Sequence, residues 1–149
     1  MAKTKVVVEG LKKTRRSLNK LGEKAEIKVH AITGDNATMI ALNAKMQASI
    51  TSFDLGDLAA GIQAEEVAKK KFKIVVKEKY APYIEFGTGT MVSVPPELKK
   101  IAEQFKAKPK VREVNLPARP FLYPAFVEGR LKYLRDLKKL LKDLTNKYD

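Results

Sequence analysis

Near the end of the chain, Leu131, Leu134, Leu141, Leu144 and Tyr148 recur at steps of three, four or seven, with Arg130, Lys132, Arg135, Lys138, Lys139 and Lys142 covering much of the remainder. That period predicts an amphipathic helix over about 121–147, whose leucine stripe needs an apolar partner. A second stretch, about 26–50, supplies one. There Ile32, Met39, Leu42, Met46 and Ile50 repeat with the same spacing. Thr33-Gly34-Asp35 interrupts it and predicts a kink or short turn in one long, imperfect helix. A further helical pattern runs from Leu11 through Leu18, Leu21 and Ala25, weakened by Gly22 by roughly 1 kcal/mol relative to alanine.

Between the helical ends the period changes. Phe72, Ile74 and Val76 alternate with Lys71, Lys73, Val75 and Lys77, which predicts a half-buried strand over 71–78. A companion strand is expected over 61–68, and Lys3 to Val8 read as a third. Residues 51–61 mix turn formers with apolar anchors and predict an ordered loop. Tyr80 to Gly87 predicts a short helical turn or an irregular strand end closing at Gly87, because Pro82 disfavours a central strand. Pro95, Pro96, Pro109 and Pro117 mark an inserted loop or arm at about 91–115, carrying a small helix over 96–105. The expected fold is α+β: a small, mostly antiparallel sheet packed against a long N-terminal helix and a C-terminal helix. With 149 residues, 44% of them hydrophobic, a single domain over 1–149 is expected.

The residues offer little for catalysis. There is no cysteine, and His30 is the only histidine, so disulfides, thiolate metal sites and multi-histidine sites are excluded. His30 reads as a packing or surface residue. No nucleophile–base arrangement and no phosphate-binding G-x-x-x-x-G-K-[ST] motif occurs. Gly87-Thr88-Gly89 reads as a turn. The acid pairs Asp54/Asp57 and Glu65/Glu66 have nothing beside them to suggest a cleft. No catalytic residue, metal or cofactor is expected. No apolar stretch reaches the roughly 20 residues needed to span a bilayer, and the N-terminus does not resemble a signal peptide. The chain is expected in the cytoplasm when made. The net charge of +13 favours polyanionic partners, either nucleic acid or acidic protein surfaces. Its dispersal through every segment makes a weak nucleic-acid footprint. Phe72, Tyr80, Tyr83 and Phe86 could stack on bases, but their spacing fits packing better.

Two segments carry a specific resemblance. Tyr80-Ala81-Pro82-Tyr83-Ile84-Glu85-Phe86-Gly87-Thr88 resembles a YA-x-[YF]-[VIL]-E-[YF]-GT signature, and Ala118-Arg119-Pro120-Phe121-Leu122-Tyr123-Pro124-Ala125-Phe126 resembles an xRPFLxPAL signature. Both are similar to bacteriophage neck proteins of the gene-product-ten-like, Hong Kong 97 type, described as head–tail joining or tail-completion proteins. A weaker third match covers Asp54 to Ile62. It keeps Gly56 and Leu58 but lacks the usual proline and has Leu55 in place of threonine.

The resemblance implies a structural virion protein of a tailed phage, in a homo-oligomeric, hexameric ring at the head–tail interface. Connector or portal-side and tail proteins would adjoin it, and DNA would pass through. Its signature residues would be Tyr80, Ala81, Tyr83, Glu85, Phe86, Gly87, Arg119, Pro120, Phe121 and Pro124. Tyr80, Tyr83 and Phe86 are expected to bury their rings between sheet and helix. A Glu85–Arg119 contact is expected, within one subunit or across two, because a carboxylate among aromatics needs a partner. Phe121 is expected to plug the core, and Pro124 to fall in the first helical turn. Lys69, Lys70, Lys71 and Lys73 are the expected contacts to phosphate or an acidic neighbour. The arm at 91–115 and the exposed face of the 61–78 strands are further contact candidates. The rival readings are a basic nucleic-acid-binding protein, a regulatory partner of the host and, more distantly, an enzyme.

Overall fold

The computed structural model describes residues 11–51, 55–105 and 115–146. The strand expected over 3–8, and Asp54, lie outside them. In chain order the elements are α1 (Leu11–Thr51), α2 (Leu55–Gly61), β1 (Ile62–Ala68), β2 (Lys71–Val76), α3 (Ala81–Phe86), α4 (Lys99–Ala102, flanked by short 3₁₀ turns) and α5 (Leu122–Thr145). The fold is α+β, with the two long helices and an antiparallel hairpin packed together. Among the described residues no helix is long and apolar enough to cross a membrane.

α1 is one helix of 41 residues, so the patterns at 11–25 and 26–50 merge without a break. Thr33-Gly34-Asp35 does not interrupt it. The Thr33 hydroxyl donates to the Val29 carbonyl at 2.7 Å and that of Thr38 to the Gly34 carbonyl at 3.0 Å, so turn-forming side chains are satisfied along the helix itself. Gly34 is there for space: a methyl group at that position would lie 3.1 Å from the Phe72 ring, which packs over it. The segment expected as a loop at 51–61 is instead largely helical, as α2, because Leu58 is fully buried and ties it to the core. Asp57 in the first turn suits the positive end of the helix.

The hairpin confirms the period-two reading. Ile62 pairs with Val76, Ala64 with Ile74 and Glu66 with Phe72, placing the apolar residues on one face, with an irregularity between Glu66 and Ala68. Lys70 turns the corner at φ 65°. Its amide donates to His30 Nδ1 at 3.3 Å, and the imidazole packs beside Phe72 with ring centroids 5.7 Å apart. His30 thus pins the hairpin turn to α1.

α1 and α5 run antiparallel, because Ile40 meets Gly129 while Asn36, a turn earlier, bonds Asp136 further along. Small residues are buried on both helices. Ala37, Ala41, Ala44 and Ala48 on α1, and Ala125 and Gly129 on α5, are buried. Small side chains let helix backbones approach closely. A methyl group on Gly129 would overlap Cγ1 of Ile40.

The apolar stripes read from sequence lie mostly elsewhere. Met39, Leu42, Met46 and Ile50 on α1, and Leu131, Leu134 and Leu141 on α5, are exposed, Ile50 at 82%. Each long helix therefore has apolar residues on two sides, the inner one including Ile40 and Leu140. The largest fully buried side chains are Phe121, Leu58 and Ile62, each worth about 1.5–3 kcal/mol of burial.

Candidate functional site

The two signature segments meet at the start of α5, and Glu85 joins them. Its carboxylate, only 6% exposed, accepts hydrogen bonds from the amides of Phe121 (2.8 Å), Leu122 (2.9 Å) and Tyr123 (2.8 Å). The first four amides of a helix have no partner within it. Here Phe121 is the capping residue, and its side chain provides no cap bond. Three of the four amides go to Glu85, and the fourth position is Pro124, which has no N–H to satisfy. A carboxylate at this end also faces the positive pole of the helix dipole.

Within the subunit, backbone amides take the place expected for the Arg119 guanidinium. Arg119 contributes its own amide to the junction, donating to the Ile84 carbonyl at 2.8 Å. Further bonds close the same seam. The Thr88 amide reaches the Leu116 carbonyl at 2.9 Å, the Leu116 amide reaches the Thr88 hydroxyl at 3.0 Å, and the Ser93 amide reaches the Phe86 carbonyl at 2.9 Å. Gly87 sits at φ 76°, and a methyl group there would come within 2.7 Å of backbone atoms of Met91, Leu116 and Ala118. Only glycine fits that crossing.

The other signature residues divide. Phe121 fills the core as expected, Ala81 is buried, and Tyr80 packs against the core. Phe86 is half-buried. Tyr83 is 38% exposed rather than buried, because it lies on the outer side of α3, and Pro120 is exposed as well. In the loop motif Leu58 is a core anchor, while Gly56 stands in open space.

The four lysines singled out in the sequence are mostly paired. Lys69 and Lys70 both reach Glu26, at 2.8 and 3.2 Å, and Lys73 reaches Glu65 at 3.0 Å. The bond from Lys69, followed by that from Lys70, holds the Glu26 carboxyl below its ordinary range. Lys71 has no ion pair among the described residues. Along the helix seam, Asp136 accepts from Lys132 at 2.7 Å and from the buried Asn36 at 3.1 Å, and these bonds lower its pKa in that order.

An open, largely apolar groove of about 1250 Å³ lies between β2, α1 and the first turns of α5. Sequence reasoning missed it, since no periodicity reveals a gap between elements distant in the chain. The described residues contain no group of three or more His, Asp or Glu side chains that could hold a metal ion. Comparison with family models, curated proteins and solved structures finds no match to this chain.

Proposed function

We propose that this chain is a structural subunit of a tailed bacteriophage, assembling as a ring at the head–tail junction and leaving a passage for DNA. The observation that carries this reading is the union of the two neck-like signatures through Glu85. Residues 80–88 and 118–126 form one hydrogen-bonded unit, as expected if they share a single structural task. An assembled subunit is further supported by the outer stripes. Met39, Leu42, Met46 and Ile50, with Leu131, Leu134 and Leu141, leave both long helices with apolar faces in water, and such faces are typical of interaction surfaces. Heterologous contacts between identical copies close into a ring when the rotation permits.

Image reconstruction of intact particles tests the proposal, with density for this chain expected between portal and tail tube. A particle without the chain, or a monomer at all concentrations in sedimentation, would contradict it. Duplex DNA binding at physiological salt, with a steep salt slope, would favour the basic nucleic-acid-binding reading.

A further inference from the structure

The groove has an asymmetric relation to the hairpin. β2 lines it with residues of both its faces, Lys71 and Lys73 as well as Phe72, Ile74 and Val76, whereas no β1 residue does. The groove therefore runs along the edge of β2 that faces away from β1. The hydrogen-bond phase of the ladder identifies what this edge presents. The Lys77 amide donates to the Gly61 carbonyl at 3.1 Å, and the register pairs Val75 with Gln63 and Lys73 with Glu65. In an antiparallel pair, hydrogen-bonded and non-bonded positions alternate. The amides and carbonyls of Phe72, Ile74 and Val76 therefore point outward, into the groove. Among the described residues no third strand takes them.

The charge around this edge is one-sided. Lys71, Lys77, Lys79 and Arg130 line the groove, and none of their side chains has an ion pair among the described residues. Among the described residues of the lining, Glu78 is the only acid besides the committed Glu85. The opposite wall is apolar, with Ile40, Leu122, Phe126 and Leu134. The volume of about 1250 Å³ exceeds the roughly 300–1,000 Å³ of small-ligand pockets. An open strand edge, an apolar wall and a basic rim together match the recognition of an extended peptide by strand addition.

We propose that β2 accepts, as a third strand, an extended segment of a partner protein in which acidic side chains alternate with apolar ones. Backbone pairing at Phe72, Ile74 and Val76 supplies the attachment. The apolar side chains face α1 and α5, and the acidic ones meet the basic rim. A second copy of this chain is a poorer match, because each copy carries +13. The inference deepens the assembly reading by giving the chemistry of a neighbour, but it stands on the groove and can fail separately.

The test uses the full chain and a short peptide alternating valine and glutamate, with amide hydrogen exchange read residue by residue. Saturable binding is expected, with new protection at Phe72, Ile74 and Val76. A valine–lysine peptide should bind at least about tenfold more weakly, and so should the glutamate peptide to the Lys71→Glu/Lys77→Glu variant, whose folding is checked by unchanged thermal unfolding. Absence of protection at those amides, or equal binding of both peptides, overturns the proposal. Protection already present without peptide also overturns it. If it rises with protein concentration a second copy occupies the edge, and if it does not, a segment of the same chain does. Failure here with the chain found at the neck removes only strand addition, whereas peptide binding by a chain absent from particles removes only the neck assignment.

Discussion

Glu85 acts as a cap supplied from a distant part of the chain. A buried carboxylate on three amides is a strong but unforgiving arrangement, since removing it leaves buried donors unsatisfied. Glu85→Ala is expected to cost about 3 kcal/mol, read as a lower denaturant midpoint with exchange protection lost first at Phe121, Leu122 and Tyr123. Glu85→Gln keeps one acceptor oxygen but turns an NH₂ towards an N–H, so it should lose nearly as much. Asp136 gives a pH signature. Lys132 and Asn36 hold its folded-state pKa below the ordinary 3.8, so the folded chain prefers the ionised form. The stabilisation is complete above about pH 5 and is lost as pH falls through the depressed folded value. The stability gap between the native protein and Asp136→Asn should therefore be present at pH 6 and shrink below pH 3.8. A gap that widens on acidification would contradict this assignment.

At the scale of elements, the antiparallel seam of α1 and α5 depends on what is missing from side chains. Gly129 lets Ile40 approach the α5 backbone. Gly129→Ala should improve intrinsic helix propensity yet destabilise the protein by about 1–3 kcal/mol, because overpacking outweighs propensity. Adding Ile40→Ala should recover part of that loss, and a double-mutant cycle by chemical denaturation measures the coupling. The hairpin depends on α1 in a similar way. Gly34 makes room for Phe72, and His30 holds the turn at Lys70. An isolated two-stranded hairpin is marginal in water, so the hairpin owes its order to the helix beneath it.

For the whole molecule, the outer apolar stripes and the charge of +13 oppose one another: the first favours association and the second resists it. Screening shortens electrostatic repulsion to about 10 Å at 0.1 M salt, so self-association through the stripes should strengthen as salt rises. Charge-driven docking on acidic neighbours should weaken under the same conditions. Sedimentation across a salt series separates the two. Leu42→Glu/Met46→Glu, placed on the outer stripe of α1, should abolish self-association while leaving thermal unfolding within about 0.5 kcal/mol of the native protein. An unfolded variant would show instead that the stripe is internal.

The fold class, the two hairpin strands and the core position of Phe121 were legible in the sequence, and the short helix after Tyr80 was one of two readings it left open. Each follows from local periodicity or from a residue's size and neighbours. The long helix over 26–50 was legible too, but its merging with the 11–25 pattern and the α2 helix were not, because turn-forming residues read as breaks until tertiary packing at Leu58 and Phe72 outweighs their preference. Sequence also marked Glu85 as a carboxylate in need of partners, but it could not identify them, since backbone amides at a distant helix start leave no trace in composition. The direction of the apolar stripes was likewise decided by tertiary structure. A helix with apolar residues on two sides fits a neighbour on either, and the side that turned inward was the one whose alanines and glycine allow the closer approach.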